Sequence, residues 1–154
     1  MKRSELLAKM NLQIPEAAQI RVVVCSDVKN EADDPFAVAH HLLTPSFDVR
    51  GVIATHFEGK AGAGTSMEQS YQGLQTLLAE MELDDVLALH GCREPLKQEG
   101  DGPDSEGVRF LLREALRPDP RPLYVTVLGA LTDVAAAINR CPEITARMTV
   151  VWSG

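Results

Sequence analysis

The feature that most constrains this chain is an alternation of short apolar runs, rich in β-branched residues, with loops and segments of helical apolar spacing. Arg21-Val22-Val23-Val24-Cys25 opens the series, and residues 49–54, 86–89, 123–127 and 148–152 repeat it. Runs with no polar alternation suit strands covered on both faces. Between them, Tyr71, Leu74, Leu77, Leu78 and Met81 fall on one helical face, as do Val108, Leu111, Leu112 and Ala115, with a further helix over 134–138. Strands alternating with amphipathic helices predict a three-layer, Rossmann-like α/β domain whose mainly parallel sheet carries helices on both faces.

Local signals sharpen the boundaries. Residues 4–10 predict a short helix before Pro15. Asp34 reads as an N-cap with Pro35 at the first helical position, where a missing N–H costs nothing, and Pro45 closes that helix. Thr65 and Glu68 have capping-box spacing. Gly100-Asp101-Gly102 reads as a turn in an exposed loop over 98–105. At 154 residues the chain can bury one core. Residues 1–20 form an N-terminal extension and 21–154 the domain proper. The last run, 148–152, wants a following helix to cover it, so the pattern is expected to stop in mid-unit.

Charge and cysteine usage narrow the function. A net charge of -7 argues against a nucleic-acid partner, because phosphate binding needs clustered Lys and Arg. Cys25, Cys92 and Cys141 are odd in number, far apart and without a C-x-x-C pair, which predicts reduced thiols in a cytoplasmic protein. The apolar patch behind Lys2 and Arg3 is too short for a signal-peptide core, and no run reaches membrane-spanning length.

In a parallel sheet, ligands bind beyond the carboxyl ends of the strands. After the first strand stands Asp27-Val28-Lys29-Asn30-Glu31-Ala32-Asp33-Asp34, with four carboxylates in one loop. Like charges repel, so convergence requires a cation or a hydrogen-bonding ligand. Oxygen donors without nearby His or Cys favour Ca²⁺ or Mg²⁺ over zinc. The competing reading is that Asp33 and Asp34 cap the helix and complement its dipole. His56 and His90 follow strands and could face the pocket, although a loop histidine is more often structural. His40 and His41 read as packing or surface residues, and Trp152 reads as core.

The acidic loop, its helix, and then Phe47-Asp48-Val49-Arg50-Gly51-Val52-Ile53-Ala54-Thr55 resemble the opening of the inosine-uridine nucleoside hydrolases. Gly91, Pro95 and Leu96 resemble that family's Gly-Pro-Leu loop. The stretch Val125-Thr126-Val127-Leu128-Gly129-Ala130-Leu131-Thr132-Asp133-Val134-Ala135, followed by Pro142-Glu143-Ile144 and Val150-Val151-Trp152-Ser153-Gly154, resembles three later family motifs in order.

The resemblance implies the N-terminal half of a hydrolase that cleaves N-glycosidic bonds of nucleosides or related ribosides with a Ca²⁺-bound water, in a family whose members commonly self-associate. Residue by residue, it implies Asp27, Asp34 and the Leu128 carbonyl for the metal. Asp27 and Glu31 are implied for catalysis, and Asp33 and Asn30 for the sugar, with Glu58 standing where the typical enzymes have an asparagine that contacts ligand. Lys29 departs from the pattern: it falls on an aspartate that binds metal and acts as general base, and a protonated lysine cannot ligate. Asn30 and Glu31 are expected to supply the missing oxygens, as in a divergent branch that includes cellulose-binding proteins. Two alternatives follow. One is a catalytically silent sugar-binding module of the same fold. The other, a phospho-receiver-like domain, needs an aspartate at the end of the third strand, where this chain has His90.

Overall fold

The structure, a computed structural model, describes residues 1–57 and 64–153. A short helix α1 (Arg3–Lys9) and a 3₁₀ turn lead into β1 (Ile20–Ser26), α2 (Asp34–Leu43) and β2 (Phe47–Ala54). α3 (Ser66–Glu80), β3 (Ala88–His90), α4 (Glu106–Leu116), β4 (Leu123–Val127), α5 (Thr132–Arg140) and β5 (Thr149–Trp152) follow. The described strands form one parallel sheet in the order β3-β2-β1-β4-β5.

Apolar runs fill both faces of this sheet. Val23, Cys25, Ile53, Leu89, Val125 and Val127 pack with residues of α4 and α5 such as Val108, Leu111 and Ala137. Val22, Val24 and Val52 pack with Val38 and Leu42 of α2 and Leu74 and Leu78 of α3. The three-layer expectation is met, and the residues at the centre of both layers are almost fully buried.

The N-terminal extension is tied to the base of the domain. Arg3 donates from Nε to the Leu42 carbonyl at 2.7 Å and from Nη2 to the Thr44 carbonyl at 2.8 Å, satisfying acceptors at the end of α2. Arg21 is buried among Glu114, Asp119 and the Arg121 carbonyl. The β1–β2 register slips between Val22 and Val23, where Arg50 bulges out and reaches Glu114 at 3.1 Å.

Three local expectations are corrected. Asp34 is the first helical residue rather than the N-cap; Asp33 holds that position with no side-chain cap bond. The reason is that the Asp34 carboxyl turns away toward Asp27 and cannot serve its own helix end. Thr65 makes no side-chain cap bond at the head of α3, and Glu68 faces His90 and Arg93 instead of closing a box. Trp152 is 55% exposed rather than core, because the described residues leave β5 uncovered, with Thr149, Val150 and Val151 exposed beside it.

Candidate functional site

Strand order places the site. The chain lays down β1, β2 and β3 in one direction across the sheet and then returns to put β4 on the other side of β1. The crevice beyond the carboxyl ends of β1 and β4 is therefore a topological switch point, where ligands of open parallel sheets bind. The acidic loop leaves β1 there, and Leu128 and Gly129 leave β4 opposite it, with the Leu128 N–H donating to the Cys25 carbonyl at 2.8 Å.

Asp27, Asn30, Glu31, Asp33, Asp34 and Leu128 line one cleft of about 420 Å³, together with Ala37, Gly129 and Ser153. The remaining sequence-predicted residue, Glu58, lies outside the described residues. Within the cleft, Asp27 and Asp34 are buried, whereas Asn30, Glu31 and Asp33 are exposed. The expected convergence of four carboxylates is thus reduced to two. Among the described residues no three Asp, Glu, His or Cys side chains gather closely enough to hold an ion by themselves. Asp27 and Asp34 are anchored by a strand end and a helix start, while the intervening loop sends its other charges into water, where they repel least.

Burial pushes the Asp34 carboxyl up to about 7, and the hydrogen bond and charge of Asp27 push the same way, against a lowering by the Ser26 hydroxyl. Two carboxylates in contact repel, so the second ionises only at higher pH unless something positive lies between them. Asn30 braces the pair: its Nδ2 donates to Asp27 Oδ2 at 3.0 Å and its backbone N–H to the Asp27 carbonyl at 2.7 Å.

Lys29 does not fill the centre. It is not part of the cleft lining, and its Cβ and Cδ lie against Gly73 on α3. The glycine opposite Asp27 is equally decisive. A Cβ at Gly129 would fall 2.5 Å from Asp27 Oδ1 and 2.6 Å from Thr55 Oγ1, so only glycine lets β4's loop close on the acid. Thr55 is fully buried, and its Oγ1 has no hydrogen-bond partner among the described residues.

These oxygen-bearing residues could contribute to a hard divalent-cation site but, among the described residues, do not complete one by themselves. The residues lining the cleft carry carboxylate and amide side chains, whose oxygens are the kind of donor Ca²⁺ prefers, and a glycine cradle lies against Asp27.

Sequence reasoning missed the supports. Asp133 is completely buried and accepts from the Cys92 N–H at 2.9 Å and from Ser105 Oγ at 2.8 Å, tying the loop after β3 and the start of α4 to α5. Burial pushes its carboxyl up, and the bonds from Ser105 and Cys92 oppose that. The available signal was a carboxylate directly before the apolar run Val134–Ile138. His56 is structural, with Nε2 2.7 Å from Thr132 Oγ1. His40 is exposed and His41 packs on Phe47, as expected. His90 stacks on Tyr71 at 3.7 Å and lines a separate, larger cleft of about 930 Å³ at the end of β3, with Glu106 3.3 Å from its Nδ1. Trp152 Nε1 donates to the Gly129 carbonyl at 3.2 Å, on the β5 side of the acidic cleft.

This architecture has solved counterparts. A purine-preferring ribonucleoside hydrolase from Gardnerella vaginalis superposes with a TM-score of 0.70 at 18% identity, over 87% of this chain and 48% of that one. The chain has a nucleoside-hydrolase-like fold at about half the length of that chain. A nucleoside hydrolase-related protein from Saccharophagus degradans, described as associated with carbohydrate metabolism, matches with a TM-score of 0.63 at 19% identity, over 87% of this chain and 38% of that one. The type III effector protein XopQ, solved with adenosine diphosphate ribose, matches with a TM-score of 0.66 at 17% identity, over 99% of this chain and 49% of that one. The chain therefore spans about half, or less, of the length of these solved relatives. No protein-family model matches the sequence, and no curated protein does. The described residues contain no helix long and apolar enough to cross a membrane. All three cysteines are free thiols, as the sequence predicted.

Proposed function

We propose that this chain is the cation- and ribose-binding half of a nucleoside-hydrolase-like enzyme that cleaves the N-glycosidic bond of nucleosides or related ribosides. The observation that carries the reading is the buried Asp27–Asp34 pair at the switch-point crevice, two carboxylates pressed together whose repulsion a proton or a cation relieves. Ca²⁺ bound there would lower the pKa of a coordinated water and supply a nucleophile at neutral pH. Asp27 and Asp34, with the Leu128 carbonyl, would hold it.

The chain's own residues do the rest. Asp33, exposed at the cleft rim, is placed to accept from ribose hydroxyls, and Asn30 offers a second polar contact while bracing Asp27. Asp27 and Glu31 provide carboxylates to take the proton of the attacking water. The negative cleft favours the positive charge that develops on the sugar ring in the transition state. Glu58 is assigned to the sugar by its sequence position.

The test is calorimetric titration of the chain with calcium chloride, followed by saturation-transfer NMR with inosine, uridine, ribose and adenosine diphosphate ribose. Saturable Ca²⁺ binding that is lost in Asp34→Ala, with ribose signals that depend on Ca²⁺, supports the proposal. Ribose binding with no Ca²⁺ response would replace it with the silent sugar-binding module, a reading favoured by the lysine at position 29.

A further inference from the structure

We infer that Thr55 is a positioning residue for Asp27, holding that carboxylate from behind while its front faces the cation. The inference rests on the cation-binding reading of the preceding subsection. Thr55 follows β2 and is locked beside β1, because its backbone N–H donates to the Ser26 carbonyl at 2.9 Å. Its hydroxyl is fully buried yet has no partner among the described residues, an unfavourable state that a fold tolerates when the group is reserved for something.

The geometry identifies what it is reserved for. Thr55 Oγ1 and Asp27 Oδ1 both press on the same bare face of Gly129, at 2.6 and 2.5 Å from where a Cβ would stand. Asp27 Oδ2 is already engaged by Asn30 at 3.0 Å. An anionic ligand in a dry site needs donors on the side away from its cation, and such supporting contacts orient the ligand and tune its affinity. The Thr55 hydroxyl makes no bond to Oδ1 in this structure but stands at the same bare face of Gly129, from which it would donate to Oδ1 once a cation draws on the carboxylate. Thr55 does not line the cleft, so it touches neither cation nor sugar.

Thr55→Val removes the hydroxyl and keeps the shape; Thr55→Ser keeps the hydroxyl and loses the methyl. Calcium chloride is titrated calorimetrically into wild type and both variants, and thermal midpoints are read in EDTA. The expected result is Ca²⁺ affinity roughly tenfold to a hundredfold weaker in Thr55→Val, with a midpoint no lower than wild type, and affinity restored in Thr55→Ser. Wild-type Ca²⁺ binding that Thr55→Val leaves unchanged, or that both variants weaken equally, overturns this inference and leaves the cation reading standing. No saturable Ca²⁺ binding by the wild type overturns both.

Discussion

Replacing Asp34 with Asn should make the cation-free protein more stable at neutral pH and leave it unchanged in acid. Asp34 is pushed from an ordinary 3.8 to about 7 in the folded chain, first by burial and then by Asp27. In the unfolded chain the same carboxyl titrates near its ordinary value. Between those two pH values the folded state holds a proton that the unfolded state has released. Stability therefore falls as pH rises from about 4 to 7 and levels off above, where neither state is protonated. Three pK units correspond to a ceiling of about 4 kcal/mol. The cleft opens to solvent, which screens the pair, so roughly 1–2 kcal/mol is expected. For a domain of this size that is roughly 2–8 °C in Tm. The assay is thermal or urea unfolding of wild type and Asp34→Asn in EDTA at half-unit steps from pH 4 to 8. The two should coincide near pH 4 and separate by that amount at pH 8, with Asn the more stable. Saturating calcium should reverse the order, because Asn lacks the ligand charge. A stability difference that stays constant from pH 4 to 8 would refute the claim that burial, reinforced by Asp27, raises the Asp34 carboxyl in the folded chain.

Two further outcomes test the supports. Asp133→Ala should destabilise the domain by about 2–4 kcal/mol in urea unfolding, because the buried Cys92 N–H and Ser105 hydroxyl lose their shared acceptor. A loss below about 1 kcal/mol would mean that water or a shifted loop replaces it. Lys29→Ala should leave Ca²⁺ affinity within roughly threefold of wild type, since the lysine stem lies on Gly73 outside the cleft and an exposed charge there is screened by salt. A tenfold or larger gain would place the ammonium in competition with the cation.

The relation between sequence and structure is clearest in the elements that failed in part. The run over 123–127 emerged as β4 with the predicted bounds, and the segment over 4–10 as α1 within a residue, because such elements follow from the period of their own side chains. The position of the acidic loop was equally legible, since a strand followed by a helix puts the connecting residues at the strand's carboxyl end. The sequence alone therefore determined the class of fold, the direction of the strands and the residues that rim the cleft. Tertiary structure alone decided that β4 lies beside β1, which brings Gly129 onto Asp27 from a hundred residues away. It also decided that two carboxylates turn inward and two outward, that Asp133 ties α5 to two loops, and that Trp152 stays exposed on β5. Periodicity reports which face of a segment is dry. It carries no record of which other segment will dry it, and the burial of Asp27, Asp34 and Thr55 and the raised Asp34 carboxyl depend on that pairing.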